Sequence, residues 1–149
     1  MLGELMFVVD SQLKQDTISL AALSLCDLLL MNDANYPWLI LVPRRPAIRE
    51  LLELSDLDQR QYLRESNAIG KILQIQFKAE KLNIAALGNV VSQLHVHHVA
   101  RFHNDPVWPK PVWGAVPPLP YQAGPLAEVI ELIFIGLNME TKVSFQWKR

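Results

Sequence analysis

Cysteine is nearly absent: Cys26 stands alone in 149 residues, which excludes an intramolecular disulfide and suits a reducing compartment. Its reading is that of a small buried hydrophobe. An excess of charge of one sign is also lacking. Fourteen lysines and arginines face fifteen aspartates and glutamates, for a net charge of −1. That balance argues against nucleic acid or a membrane surface as partner, since either calls for a basic excess or a basic face. A small phosphorylated ligand needs only a few local donors and stays open. Long apolar runs are missing as well. The stretch IELIFIGLNM (130–139) is too short to span a bilayer. The first residues, MLGELMFVVDSQLKQD, lack the basic start and long apolar run of a secretory signal. Repeats and low-complexity tracts are absent. The expectation is a cytoplasmic protein of one domain, residues 1–149.

The chain does have histidine, and in one place. All four histidines, His95, His97, His98 and His103, fall in or just after QLHVHHVARF (93–102). The segments around them are legible. SLCDLLLM (24–31) and WLILVP (38–43) read as strands joined by a loop of turn formers, Asn32, Asp33, Asn35 and Pro37. Arg44 and Arg45, after the second strand, read as solvated. Ser55 followed by Asp58 resembles a helix-capping pair. Leu57, Leu63, Ile69, Leu73 and Phe77 then keep helical spacing to about Ala79, with a charged flank of Arg60, Arg64, Glu65, Lys71, Lys78, Glu80 and Lys81. NIAALGNVVSQLHVHHVARF is rich in β-branched residues and broken at Gly88-Asn89, so it reads as two strands or one interrupted strand. Six prolines in 104–120 preclude a regular element there. A last helix is predicted from Pro125 to about Leu137. Strands before and after a long helix, with short connections, indicate an α+β domain.

If 91–103 is extended, side chains alternate between faces. Val91, Gln93, His95, His97, Val99, Arg101 and His103 share a face expected to meet solvent or a cleft. Ser92, Leu94, Val96, His98, Ala100 and Phe102 share one expected to meet the core, so His98 reads as structural. Two chemistries fit the His95/His97 pair. Histidines at i and i+2 can ligate zinc, iron, copper or nickel, but a tight site needs a third or fourth ligand. No histidine follows residue 103, and beyond Asp105 the next carboxylates are Glu128 and Glu131, so no metal is expected. The second chemistry is nucleophilic. A neutral imidazole can attack phosphorus and later leave as a neutral group, given donors around the non-bridging oxygens. Gln93 and the backbone at Gly88-Asn89 are the candidate donors.

QLHVHHV (93–99) resembles the signature of the histidine triad (HIT) superfamily, His-φ-His-φ-His-φ-φ with φ apolar. Gln93 stands where the first histidine would be, and His98 fills a φ position. The context agrees over residues 24–116: LILVPRR, a helix opening on LSDLD, NIAALGNVVSQLHVH, and PVWG at 111–114. The resemblance implies an α+β HIT-like fold, with an antiparallel sheet of about five strands packed against the long helix and a C-terminal helix. The C-terminal segment 117–149 lies outside the motif-bearing core. It also implies nucleotide hydrolysis or transfer at an α-phosphorus, through a nucleotidyl intermediate on His95. His97 would contact the phosphate or assist the leaving group. Gln93 and Asn89 would lie at phosphate oxygens, Asn32 at the ribose, and Trp113 at the wall of the site. Neither metal nor cofactor is implied, and the partners are a small nucleotide substrate and a second copy of the chain. The alternatives are a nucleotide-binding protein with little catalysis and a metal-dependent enzyme.

Overall fold

In the computed structural model, which describes residues 6–148, six strands form one sheet in the order β4-β5-β3-β2-β1-β6. Every neighbouring pair is antiparallel. In chain order the elements are α1 (Ser11–Asp16), β1 (Thr17–Leu23), β2 (Cys26–Met31), β3 (Trp38–Pro43), α2 (Asp56–Gln76), β4 (Lys81–Ala85), β5 (Val96–Arg101), α3 (Ala123–Met139) and β6 (Phe145–Trp147). A 3-10 turn, Leu51–Glu53, precedes α2. Residues 1–5 of the stretch inspected for a targeting signal lie outside the described residues. No helix among those described is long and apolar enough to cross a membrane.

β2, β3 and α2 lie where the sequence places them, and Ser55 caps α2 by accepting from the Asp58 amide. The sheet has six strands where about five were expected. β1 was missed because TISLAALSLCDLLLM runs on without glycine, proline or asparagine to mark a turn. The turn between β1 and β2 is fastened from elsewhere. The Leu25 and Cys26 amides both donate to the Glu65 carboxylate, at 3.0 and 2.9 Å, and Gln61 Nε2 adds a third bond. Glu65 is therefore fully buried, a correction to its expected place on a solvated flank. Conversely Leu57 and Leu63, although in helical register, are exposed. Arg44 is also less free than expected, since it pairs with Asp27 and donates to the Leu23 and Ser24 carbonyls. Cys26 is buried, and burial together with Glu65 pushes its thiol pKa up, so it behaves as a small apolar residue.

The two faces of the sheet bury different cores. Leu28, Leu30, Leu39, Leu41, Val96 and Ala100 meet Ile69, Ile72 and Leu73 of α2 and Ile133 and Leu137 of α3. Gly136 lets the helices touch, since a Cβ there would stand 2.8 Å from Ile72 Cγ1. On the opposite face Leu29, Trp38, Ile40, Val42 and Val99 pack with Leu13 of α1 and with Val112 of the proline-rich segment.

That second core corrects the two-face expectation for residues 91–103. Regular pairing begins only at Val96, and both faces of β5 are buried. The face expected to be open is covered by the N-terminal segment and by residues 104–116. Arg101, 1% exposed, holds this cover in place. Its guanidinium makes a bidentate pair with Asp105 at 2.7 and 3.1 Å, donates to Asn83 Oδ1 at 2.7 Å, and lies over the Tyr36 and Trp108 rings. Burial opposes ionisation of Asp105, but Arg101 and the Phe102 and Val107 amides hold its carboxyl below the usual range. Replacing Arg101 with methionine should leave Asp105 buried and unpaired, costing roughly 3–5 kcal/mol. Urea unfolding of R101M and of the R101M/D105N double variant checks this, with a substantial part of the loss expected to return in the double variant.

Candidate active site

His95 is the last residue before β5, and its ring is oriented by backbone alone. Nδ1 lies 2.7 Å from the Gln93 carbonyl oxygen. A carbonyl only accepts, so Nδ1 carries the proton and Nε2 holds the lone pair. Nε2 has no hydrogen-bond partner among the described residues. Only Tyr36 Oη and Trp113 Nε1 are both buried and unpartnered there, so Nε2 reaches solvent although His95 as a whole is 5% exposed.

Its neighbour His97 is closed at both nitrogens. Nδ1 accepts from the Trp38 indole at 3.1 Å, and Nε2 donates to the Leu87 carbonyl at 3.0 Å. Burial pushes its pKa down to about 4, against the opposing pull of the Leu87 carbonyl, so the ring is neutral. The rings of His95 and His97 are 4.9 Å apart, and Trp113 lies 5.3 Å from His97. Trp38 completes the cluster at 5.6 Å from His97 and 6.0 Å from Trp113.

The other expected residues divide. Gln93 does not turn its amide toward the site: Nε2 donates to the Val8 carbonyl and Oε1 accepts from the Asp10 amide. Its main-chain oxygen is what serves His95. Asn89 is exposed on the loop between β4 and β5. Beside it Gly88 lies so close to the histidine that an added Cβ would stand 3.2 Å from His95 Cε1 and 2.6 Å from the Val91 carbonyl oxygen. Asn32 and Trp113 line a cavity of about 420 Å³ with Gln15, Asp16, Trp38 and Val112. Asn32 Oδ1 also accepts from the Tyr121 amide, tying the segment before α3 to the end of β2. A larger cavity of about 690 Å³ lies between residues 7–9 and strands β1 and β2, and no histidine lines either cavity.

His98 is fully buried on the helix side, between Ser66 Oγ (2.8 Å) and the Val96 carbonyl (3.1 Å). Burial lowers its pKa to about 4. The partner that a histidine in an apolar position requires is thus the Ser66 hydroxyl. His103 is exposed, bonded to Glu80 and packed on Trp108. Among the described residues no group of three or more histidines, cysteines or carboxylates is placed to hold a metal ion.

Sequence reasoning missed Trp38 and the Leu87 carbonyl. Trp38 was within reach of the period-two rule, because 38, 40 and 42 share one face of β3, and Ile40 pairs with His97. Nothing in the sequence marks a backbone carbonyl.

The HIT domain family profile matches residues 12–104. Crystal structures of histidine triad proteins from Marinobacter aquaeolei VT8, Bradyrhizobium japonicum and Sinorhizobium meliloti 1021 are similar, at 46, 43 and 44% identity. They superpose with TM-scores of 0.87, 0.87 and 0.85, covering 89, 89 and 87% of this chain and 97, 98 and 96% of theirs. No curated protein matches. The chain belongs to the histidine triad family.

Proposed function

We propose that this protein cleaves nucleotide conjugates, of the dinucleoside polyphosphate or phosphoramidate type, at the α-phosphorus through a nucleotidyl intermediate on His95. The observation that carries this reading is the fixed tautomer of His95. With Nδ1–H spent on the Gln93 carbonyl, the Nε2 lone pair is the one open nucleophile of the cluster. In the first step Nε2 forms a bond to phosphorus, and the leaving group departs with its bonding pair. The positive charge arriving on the imidazole strengthens the Nδ1–H bond to the carbonyl. In the second step water attacks phosphorus, gives up a proton, and the imidazole leaves neutral.

Because the acceptor is main-chain oxygen, a glutamine at position 93 keeps the nucleophile oriented. That supports turnover over binding alone. The Gly88 and Asn89 amides, next to His95, would face the non-bridging oxygens. The cavity walled by Trp38 and Trp113 would take the nucleoside, with Asn32 at the ribose. His97, closed at both nitrogens, serves as a positioning residue in place of an acid for the leaving group. A second copy of the chain would pair along α2 and the edge strand β4, where Leu63, Ile75 and Ile84 are exposed.

Acid-free rapid quenching of the protein with an adenylated conjugate, followed by mass spectrometry, tests the reading. A nucleoside monophosphate adduct on the peptide containing His95 is expected. Turnover without any adduct, or an adduct on another residue, would sink it. Gly88→Ala should push the loop or the His95 ring aside. A displacement near 1 Å would lower kcat/KM by about 10²-fold, and because the nearest clash is with a backbone oxygen the unfolding midpoint should fall as well. Steady-state kinetics beside a urea melt reads both.

A further inference from the structure

Trp38 bonds to one side of His97, while the loop beside His95 hangs from the other side. The indole N–H of Trp38 fills the Nδ1 lone pair of His97 at 3.1 Å. The proton of His97 is thereby confined to Nε2, which holds the Leu87 carbonyl at 3.0 Å. Leu87 directly precedes Gly88, where an added Cβ would stand 3.2 Å from His95 Cε1 and clash at 2.6 Å with the Val91 carbonyl oxygen. The same indole also forms a wall of the 420 Å³ cavity and packs 6.0 Å from Trp113.

We infer that Trp38 is a positioning residue for the reaction: by fixing the tautomer of His97 it secures the 87–91 loop against His95. The alternative tautomer shows what is at stake. With a proton on Nδ1, the ring would present an N–H to the Trp38 N–H and a lone pair to the Leu87 carbonyl. Both contacts become repulsive, because two donors meet on one side and two acceptors on the other. Only the Nε2–H form satisfies both: the Leu87 carbonyl calls for the proton on one side, and the Trp38 N–H excludes it from Nδ1 on the other. Burial strengthens the constraint, since a partner lost inside the protein is not replaced by water, and His97 is 4% exposed. The link between cavity and loop follows directly. Whatever fills the cavity touches the indole that sets the histidine that holds the loop.

The inference rests on the function proposed above for its kinetic part and on geometry alone for the rest, so the test has two arms. In ¹⁵N NMR of the wild-type protein, a coupling across the hydrogen bond between Trp38 Nε1 and His97 Nδ1 is expected, with His97 wholly in the Nε2–H form. Absence of either overturns the inference. Trp38→Phe, or benzothienylalanine incorporated at 38, removes the donor. The sulfur analogue keeps the bicyclic shape, so the test survives if Trp38→Phe does not fold. Expected are a mixture of His97 tautomers, amide exchange at residues 87–91 faster by about tenfold or more, and kcat lowered roughly ten- to a hundredfold, with KM little changed for the sulfur analogue. A single Nε2–H tautomer, unchanged loop exchange or wild-type kcat in that analogue would overturn it. Should the wild-type protein turn over no conjugate, the proposed function fails, while tautomer and exchange still decide the role of Trp38.

Discussion

Replacing His95 with alanine is expected to lower turnover of any conjugate the protein cleaves by at least about 10³-fold, because the covalent route loses its only open nucleophile. Residual cleavage would have to come from direct attack of water on a substrate still held by the cavity and the loop. The fold should survive. The ring makes one hydrogen bond, to the Gln93 carbonyl, and its loss together with the space left by a ring only 5% exposed should cost roughly 1–3 kcal/mol. Binding of a nucleoside monophosphate should persist within a few-fold, since the proposed phosphate donors, the Gly88 and Asn89 amides, and the cavity walls belong to other residues. Single-turnover kinetics, calorimetry and a melting curve on H95A separate these effects. A variant that is folded and still active at a tenth of wild type would remove His95 from the chemistry.

Acid should unfold this protein early, and two histidines are the reason. His97 and His98 have pKa values pushed down to about 4 in the folded chain, in each case chiefly by burial, against an ordinary value of 6.5. Below pH 6.5 the unfolded chain takes up two protons that the folded chain refuses. Stability is therefore complete above pH 6.5 and falls as the pH drops toward 4. The slope approaches about 1.4 kcal/mol per pH unit for each histidine. Over that window the two together withdraw on the order of 5 kcal/mol, comparable to the whole stability of many domains. Urea unfolding between pH 7 and 4.5 reads the slope directly. His98→Val removes one of the two titrations and leaves the site face untouched, so the slope near pH 5 should fall by about half. An unchanged slope would mean that His98 is not held neutral by its burial.

Much of the site was legible in the residues themselves. The i, i+2 spacing put His95 and His97 together, and the apolar neighbours of His98 sent it to the core, where it lies against Ser66. The HIT signature named the fold. Other features were hidden because no local pattern encodes them. The β1–β2 turn carries no glycine, proline or asparagine and is held by Glu65, about forty positions away. Arg101 reads as one more polar side chain on an alternating strand, yet it is buried beneath a proline-rich segment with its own carboxylate, Asp105.

What the sequence determined by itself was the type and order of β2, β3, α2, β5 and α3 and the side-by-side placement of His95 and His97. Periodicity, capping and motif spacing act over a few residues and are written in consecutive positions. What the tertiary structure alone decided was the state of each imidazole. His95 keeps an open Nε2 because a main-chain carbonyl takes its other nitrogen. His97 is closed because an indole from β3 and a carbonyl from the 86–95 loop meet it from opposite sides. A histidine's chemistry is set by which of its two nitrogens carries the proton, and that depends on partners brought from distant parts of the chain.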